Sequence, residues 1–409
     1  MAQSRVRGRP TVQRLRDNPL TPYIEPYTEQ LRAEGYARNT VETQRRAVAD
    51  FGRWLATHRI AAQAITAEHI QAFLRNRPGC LRRGDGAGLS RLWTLLRRRG
   101  VTPTPPGPRA IPADQVCEAF RRYLLQERGL APVTVAYYVA FVREFLLARF
   151  EAGPIRLAAL VARDITGFVQ QWAVTLRSRR VQLLTTALRA FLRFARYQGA
   201  LTTDLAACVP AVANWADSTI PRALPRAAVE AVLAACIRQT AVGRRDYAIL
   251  LLLARLGLRA GEIVALTLED LDWRTGWITV HGKGGGQASL PLPVECGAAL
   301  AAYLQHGRPR ATSRHVFLRA RAPVRSFQGP AAISSVVKRA LARAGVETPR
   351  KGAHQFRHGL ACDLLRHGAS LAEIGELLRH RSPETTAIYA KVDLVALRPL
   401  ALRWPGGGR

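Results

Sequence analysis

Lysine is scarce in this 409-residue sequence. Only four of its 61 Lys and Arg residues are lysines, and these are Lys283, Lys338, Lys351 and Lys391. Because arginine is the default cation, a lysine indicates a position that favours an amine over a guanidinium. Acidic residues are also few, with 29 Asp and Glu, so the formal net charge is +32. A surface with this excess attracts polyanions and predicts a nucleic acid as the partner.

Cysteine pairs and long apolar runs are missing as well. The six cysteines stand apart and none forms a C-x-x-C pair, so the sequence indicates neither a zinc site nor a disulfide framework and fits a reducing cytoplasm. No apolar segment near the start resembles a secretory signal, and Arg255 interrupts the apolar stretch from Ala248 to Leu258. We therefore expect a buried helix there, and we expect no membrane span.

The length and the hydrophobic content of 48% predict two or three folded domains with their own cores. Three segments have the composition of connecting chain. Residues 1–20 read as a basic flexible arm, 103–111 as a stiff Pro-rich linker and 213–225 as a second linker. The first two folded parts are then 21–102 and 112–212.

These first two folded parts resemble each other in sequence. The motif from Gly35 to Thr40 matches the motif from Gly129 to Thr134, and further apolar pairs follow in the same order. Apolar residues at helical spacing predict four or five short helices in each part, with Thr40 and Thr134 as N-caps. A duplication explains the shared order; the alternative is that short amphipathic helices resemble one another by chance.

The third folded part, 226–409, has a different pattern. It opens with two predicted helices. A strand-like stretch from Trp277 to Val280 then leads through a Gly-rich turn to a second one from Ala288 to Leu292. The sequence is helical again from Ala331 onward. These patterns predict a mixed α+β domain with a small antiparallel sheet.

Two sets of polar residues in this third part are candidates for chemistry. Arg259 follows one apolar helix and precedes another, so its guanidinium requires a phosphate or a carboxylate. The alternative is a structural ion pair with Glu262 or Asp270. His354 and Arg357 are three residues apart and would face one side of a helix, where a phosphodiester would meet both. The alternative is a solvated basic face.

Two further candidates stand near the end of the chain. His380 lies at a predicted helix end, and Tyr389 follows nine residues later on a short helix predicted after Ser382 and Pro383. A single tyrosine is usually an amphipathic packing residue, so Tyr389 indicates little by itself. Lys283 is more informative, because it is one of the four lysines and stands in the Gly-rich turn.

Together these residues resemble the catalytic pattern of the tyrosine recombinase (lambda-integrase-like) family, and most closely that of Xer recombinases and of phage or transposon integrases. The pattern Arg, Lys, His-x-x-Arg, His or Trp, Tyr falls on Arg259, Lys283, His354, Arg357, His380 and Tyr389. The resemblance is strong from about 225 to 395 and looser over 112–212. Arg379, where the family usually has Gly, and Gly359, where Thr or Ser is common, depart from the pattern without removing a catalytic group.

The resemblance implies a mainly α fold that forms a clamp around DNA. Two N-terminal helical modules, SAM-like and of the core-binding type, would precede a mixed α+β catalytic domain with a small antiparallel sheet. The partner would be double-stranded DNA with specific, inverted-repeat sites, and neither a metal nor another cofactor would be needed. A homo- or hetero-tetramer would form through the C-terminal tail, whose Leu394, Leu397 and Leu400 make an apolar stripe. The alternative is that this stripe packs on its own domain.

The resemblance also assigns the steps of the reaction. Tyr389 would attack the scissile phosphate and form a 3′-phosphotyrosine bond. Arg259 and Arg357 would clamp the non-bridging oxygens, and Lys283 would protonate the leaving 5′-oxygen. Because the bond energy stays in the phosphotyrosine link, ATP is not required. The turn at Lys283 lacks the G-x-x-x-x-G-K-[ST] spacing of a phosphate loop, which agrees with this.

The remaining candidates would support that chemistry. His354 and His380 would hydrogen-bond the phosphate, and His354 would assist proton transfer at Tyr389. Glu262 would orient Arg259 or the hairpin. These assignments predict a site-specific recombinase in the cytoplasm, associated with the nucleoid and serving a mobile element in integration, excision or transposition.

Other functions remain open at this stage. A type IB topoisomerase would use nearly the same residues without site specificity, but the doubled helical part and the residues around Tyr389 favour a recombinase. A catalytically inactive DNA-binding regulator is a second alternative, and the complete set of six residues disfavours it. An RNA-binding protein is suggested by charge alone.

Overall fold

Contacts within the chain divide it into two units. The computed structural model describes residues 18–76, 84–103, 111–212, 223–282, 286–349, 351–380 and 382–392. Unit 1 comprises Met1–Thr104 and Ile220–Arg409, and unit 2 comprises Pro105–Thr219. Nearly all of the predicted arm, most of both linkers, Lys283 and the tail leucines lie outside the described residues.

The first helical part belongs to unit 1 and is built around one apolar core. Its elements are α1 (Thr21–Ala33), α2 (Arg38–Thr57), a 3-10 turn (Ala62–Ala64), α3 (Ala67–Asn76) and α4 (Asp85–Arg98). Each helix buries the apolar face that its sequence spacing predicts. The N-cap predicted at Thr40 is wrong, because α2 begins at Arg38 after the extended residue Ala37, which puts Thr40 inside the first turn.

A buried tyrosine joins three of these helices. The hydroxyl of Tyr27 on α1 lies 2.9 Å from the carbonyl oxygen of Gly88 on α4 and 3.1 Å from Oε1 of Gln44 on α2. The amide of Gln44 also donates to the carbonyl of Gly84, at 3.3 Å. Because buried polar groups are stable only when they are hydrogen-bonded, this network fixes how α1, α2 and α4 pack together.

Unit 2 contains the same order of elements around a separate core. They are α5 (Pro112–Gln126), α6 (Pro132–Phe150), a 3-10 turn (Leu157–Ala159), α7 (Ala162–Thr175) and α8 (Ser178–Tyr197). The N-cap predicted at Thr134 is also wrong, since α6 begins at Pro132. Proline is well suited to a first helical position because the N–H that it lacks would have no partner within the helix there.

The two helical parts also share unusual backbone positions. Arg59 after α2 and Glu151 after α6 both have positive φ angles, 57° and 53°. Gly100 after α4 and Gly199 after α8 have positive φ angles as well. Because residues other than glycine rarely adopt this conformation, its recurrence at Arg59 and Glu151 favours a repeated fold over a chance similarity of helices.

Gly88→Ala should destabilise the first helical part. An added Cβ would lie 1.5 Å from Oε1 of Gln44, so Gln44 would have to leave its position and the network would break. We expect a loss of about 1–3 kcal/mol, the usual effect of leaving a buried polar group unsatisfied, measured by urea unfolding. Gly167→Ala in α7 is the control, because nothing lies within 4 Å of its added Cβ. Equal losses in the two variants would contradict the prediction.

The third part of the chain forms the rest of unit 1. Its elements are α9 (Arg226–Ala234), α10 (Ala241–Arg255), α11 (Ala260–Ala265), a 3-10 turn (Leu268–Asp270), β1 (Leu271–Asp272), β2 (Trp277–His281), β3 (Gln287–Pro291), α12 (Val294–His306), α13 (Pro330–Arg343), α14 (His354–Arg366), α15 (Leu371–Leu377), α16 (Pro383–Ala387) and a 3-10 turn (Ala390–Val392). Residues 248–254 of α10 are all buried at the centre of the core, so the predicted buried helix is confirmed as far as Arg255. No helix among the described residues is long and apolar enough to cross a membrane.

Strands β1, β2 and β3 form an antiparallel sheet in that order. Ile278 on β2 pairs with Leu271 on one side and with Leu290 on the other. At the end of the hairpin, the N–H of Gly282 donates to the carbonyl of Gly286 at 2.7 Å. The predicted hairpin and the predicted fold class, mainly helical with a small antiparallel sheet, are therefore confirmed.

Candidate functional site

A cleft of about 500 Å³ lies beside α11, the ends of β2 and β3, and the segment after α15. Its charged or titratable lining residues are Arg259, Glu262, Arg379 and His380. Gly282 and Gly286 also line it, and they flank the three residues Lys283–Gly285. The predicted Lys283 itself lies outside the described residues.

Glu262 holds Arg259 at the start of α11. Its two carboxylate oxygens accept from the backbone N–H and from Nη1 of Arg259, both at 2.8 Å. Burial alone would raise the pKa of Glu262, but the Arg259 N–H and the guanidinium groups of Arg379 and Arg259 hold it below its ordinary value. The ion pair considered as an alternative is thus present, while Asp270 contacts His281 instead. The Arg259 side chain keeps 33% of its surface exposed toward the cleft.

Arg379 occupies the position at which the pattern usually has Gly. Its φ angle of 55° lies in the left-handed region, where glycine is the residue with the least strain. Its carbonyl accepts from Nη2 of Arg259 at 3.2 Å, and its own Nη2 donates to Glu262 at 3.0 Å. The departure from the pattern therefore adds a third guanidinium to the site.

Arg357 on α14 is buried, with only 3% of its surface exposed. Its Nη1 donates to the carbonyl of Gly257 at 2.5 Å, and its Nη2 donates to the carbonyl of Leu378. Burial, together with the guanidinium groups of Arg259 and Arg379, lowers the pKa of Arg357 to about 10. A solvated basic face is therefore the wrong description of Arg357. It is a desolvated cation, and an anion in the cleft would offset the cost of burying it.

His380 follows α15 and lines the cleft. Its Nδ1 lies 2.7 Å from Oγ1 of Thr386. Burial first, and then the nearby cations Arg357, Arg259 and Arg379, lower the pKa of His380 to about 4. The imidazole is therefore neutral at pH 7, and it can exchange hydrogen bonds with a phosphate without carrying a charge.

Tyr389 lies next to His380, and only 1% of its surface is exposed. It stands after the end of α16, not within the short helix that the sequence predicts. Its ring stacks on that of His380 with 6.4 Å between centroids, and its hydroxyl lies 2.9 Å from Nδ1 of His358. Burial is the largest cause that raises the pKa of Tyr389 to about 12. The phenol is therefore neutral at pH 7.

The sequence-based prediction omits His358 and assigns proton transfer to His354. His354 begins α14 and is exposed, and its ring centroid lies 6.1 Å from that of His358. The signal that was available is spacing: His354, Arg357 and His358 are at i, i+3 and i+4, so one face of α14 carries all three.

Gly359, the second departure from the pattern, has a packing role. A Cβ added there would lie 2.7 Å from the carbonyl oxygen of Leu224. The N–H of Leu224 donates to the carbonyl of Gln355 at 3.4 Å. Glycine therefore lets the segment before α9 lie directly on α14.

Comparison with known proteins identifies the family. Residues 222–394 match the phage integrase family. A protein of Sinorhizobium fredii named as an integrase/recombinase, y4rA, is 48% identical over 394 residues, which cover 95% of this chain and 96% of that protein. The tyrosine recombinase XerD of Listeria monocytogenes is 30% identical over 70% of this chain and 96% of its own length. The chain belongs to the tyrosine recombinase family.

The fold of this recombinase agrees with the solved structures. The XerH site-specific recombinase bound to a palindromic difH substrate has a TM-score of 0.57 at 17% identity, covering 82% of this chain and 93% of that one. Of the six predicted catalytic residues, the recombinase brings Arg259, Arg357, His380 and Tyr389 together, with His354 one helical turn away.

Proposed function

We propose that this recombinase breaks and rejoins double-stranded DNA at specific sites through a 3′-phosphotyrosine bond to Tyr389. One observation carries the proposal. Arg259 and His380 line a single cleft, the buried Arg357 is close enough for its charge to lower the pKa of His380, and the His380 ring stacks on that of the tyrosine with 6.4 Å between centroids. A neutral phenol next to desolvated cations is what an attack on a phosphodiester requires, because the cations stabilise both the phenolate and the negative charge of the transition state.

The two arginines would act on the non-bridging oxygens of the scissile phosphate. Arg259 has a partly exposed side chain that lines the cleft, and Arg357 is fixed by two backbone carbonyls, so the donors are ordered before the substrate binds. Preorganised donors avoid the cost of reorientation in the transition state. Glu262 would keep Arg259 in place, and His380 would add a hydrogen bond from a neutral ring.

Lys283 would be the general acid that protonates the leaving 5′-oxygen. Supporting this, Gly282 and Gly286 on either side of its turn line the same cleft as Arg259. The base of the hairpin is fixed, since His281 Nε2 lies 2.7 Å from Asp270. A lysine amine is a suitable general acid for an alkoxide leaving group.

We also propose a separate function for each part of the chain. Residues 226–409 would form the catalytic domain with its tail, and 112–212 would form the core-binding domain that completes a clamp around DNA. Residues 21–102 would be a second helical DNA-binding module, preceded by the basic arm at 1–20. The repeated order of helices in the two modules supports this division.

The tail after residue 392 would join protomers into a tetramer on two DNA sites. A groove of about 630 Å³ between α15 and α16 supports this, because its walls include the apolar residues Leu371, Pro383 and Ala387. Such a groove suits an apolar stripe of the kind formed by the tail leucines.

Removing residues 393–409 should abolish the tetramer on DNA that carries two sites. Binding to a single site should stay within about threefold, because the phosphate contacts that dominate DNA affinity are retained. Native gel shift and analytical ultracentrifugation measure both quantities. Leu371→Glu, in the proposed groove, should give the same loss. A tetramer that survives the deletion, or a catalytic domain that unfolds without its tail, would favour packing of the tail on its own domain.

The biological role that we propose is integration, excision or transposition of a mobile element in nucleoid DNA. The test is to sequence the DNA ends that become covalently joined to the protein in its host. A discrete junction is the expected result. Relaxation of supercoiled DNA that lacks this junction, at a rate comparable to cleavage of the junction, would favour the type IB topoisomerase alternative.

A further inference from the structure

The hydroxyl of Tyr389 has a hydrogen-bonding partner that the assigned residues do not include. Nδ1 of His358 lies 2.9 Å from Oη of Tyr389, and the two rings meet edge to face with 5.7 Å between their centroids. His358 is half-buried on α14, directly after the fixed Arg357. A phosphate held by Arg357 is therefore bound by the same helix that carries this imidazole.

The other two histidines near the site are less suited to removing the phenolic proton. His354 is exposed at the start of α14, and its ring is next to His358 with 6.1 Å between centroids. The His380 ring stacks on the tyrosine ring with 6.4 Å between centroids, and its Nδ1 is engaged with Thr386. Its pKa of about 4 also makes it a weak base at pH 7.

Resting on the function proposed above, we propose that His358 is the general base that takes the proton from Tyr389. The phenolic O–H bond breaks and an N–H bond forms at Nδ1, which requires that Nε2 carry the proton of the neutral ring. Oη then bonds to phosphorus, and the bond from phosphorus to the 5′-oxygen breaks. That oxygen receives a proton from Lys283. In the reverse attack, the imidazolium returns its proton to Oη.

The surroundings of the pair suit this transfer. The groups that act on the phenol are the cations Arg357 and Arg259, which favour the phenolate, and the thiol of Cys362, which disfavours it. The His380 ring stacks on the tyrosine ring. His354, one turn before His358, is exposed, with 6.1 Å between the two ring centroids.

The test isolates proton removal from leaving-group protonation. The substrate is a nicked duplex with the junction mapped in the host, in which sulfur replaces the bridging 5′-oxygen. Because a thiolate leaves without a proton, the rate of adduct formation no longer depends on Lys283 and reports on the nucleophile. Single-turnover rates are measured from pH 5.5 to 9.5, roughly the span over which imidazole and phenol titrate.

His358→Asn is the informative variant, because an amide can keep a hydrogen bond near the Nδ1 position but cannot accept the proton. We expect the rate at pH 7 to fall about 100-fold or more, the usual contribution of a general base. The rate should then rise about tenfold per pH unit, since the phenol must ionise by itself. Adding imidazole to His358→Ala should restore part of the rate. His367→Ala, an exposed histidine at the end of α14, is the matched control and should behave as wild type.

Three outcomes separate the hypotheses. A wild-type pH profile in His358→Asn, or the log-linear profile in His354→Ala instead, would overturn the assignment while leaving the phosphotyrosine mechanism intact. A uniform loss of rate with an unchanged pH profile would assign His358 a purely structural role. If wild type forms no adduct on this substrate, the proposed function itself fails. If thermal melting shows that His358→Asn does not fold, His358→Gln is used in its place.

Discussion

Tyr389→Phe should abolish the covalent protein–DNA adduct on nicked target DNA. The phenolic oxygen is the atom that would bond to phosphorus, and phenylalanine has no oxygen at the position that contacts His358. DNA affinity should stay within about threefold, because the side chain is 1% exposed and phosphate contacts dominate affinity. Stability should fall by only about 1 kcal/mol, the net value of one hydrogen bond. Denaturing gels detect the adduct, and gel shift measures the affinity.

Tyr303→Phe provides the matched control for this prediction. Tyr303 is also a fully buried tyrosine of unit 1, and its hydroxyl accepts a hydrogen bond from the N–H of Leu318 at 3.2 Å. Its loss should lower stability by a similar amount and leave the adduct intact. An adduct that persists in Tyr389→Phe would refute the assignment of the nucleophile.

Arg357→Lys should slow cleavage by about 100-fold to 1000-fold, the range found when one preorganised donor to a developing charge is removed. A lysine retains the charge but loses the planar fork that reaches the carbonyls of Gly257 and Leu378 together. Its amine would then not be aimed at the phosphate. Single-turnover cleavage of the mapped junction measures the effect. The cleavage rate constant should fall by a larger factor than the affinity for DNA.

Arg245→Lys is the control for this substitution. Arg245 is likewise buried in unit 1, and its Nη1 donates to the carbonyl of Leu318 at 3.0 Å while Asp246 pairs with it. Losing its fork should lower the melting temperature without changing the cleavage rate of the folded protein. If both variants slow cleavage equally, the effect at Arg357 is one of folding and not of phosphate recognition.

The lowered pKa of Arg357 also predicts the direction in which the stability of the protein changes with pH. Its folded-state pKa of about 10 is below the ordinary value of arginine, so the charged form is disfavoured by folding. The destabilisation is therefore present below pH 10 and is relieved as the pH rises through the folded pKa. Arg357→Lys should therefore change how the free energy of unfolding depends on pH around pH 10. Urea unfolding at several pH values measures this dependence.

The sequence predicts the elements that depend on local patterns. The hairpin of β2 and β3 follows from two strand-like stretches around a glycine-rich turn, and the buried helix α10 follows from its apolar run. The resemblance places His380 and Tyr389 in one site, and the structure adds that their rings stack. Helix starts are less predictable, because Thr40 and Thr134 have the composition of N-caps while Ala37 and Ala131 occupy the capping positions.

The sequence does not predict contacts that depend on tertiary structure. Nothing in the residues around Arg379 indicates that its carbonyl accepts from Arg259, 120 residues earlier, or that its guanidinium shares Glu262. The hydrogen bond between His358 and Tyr389 joins residues 31 positions apart, and the sequence-based prediction named His354 instead. Burial, which changes the pKa values of Arg357 and His380, is likewise a property of the folded core.

The burial of Tyr389 also affects how often the recombinase would break DNA outside its target. A nucleophile that is 1% exposed and neutral gives stray phosphodiesters no access to its oxygen while the packing around the ring is closed. Accidental nicking is then limited by the fraction of molecules in which this packing opens enough to admit a phosphate, and minor conformations of this kind are populated at about 0.1–10%. Substitutions that loosen the packing around the ring, such as Leu378→Ala, would raise that fraction and with it the frequency of breaks outside the target.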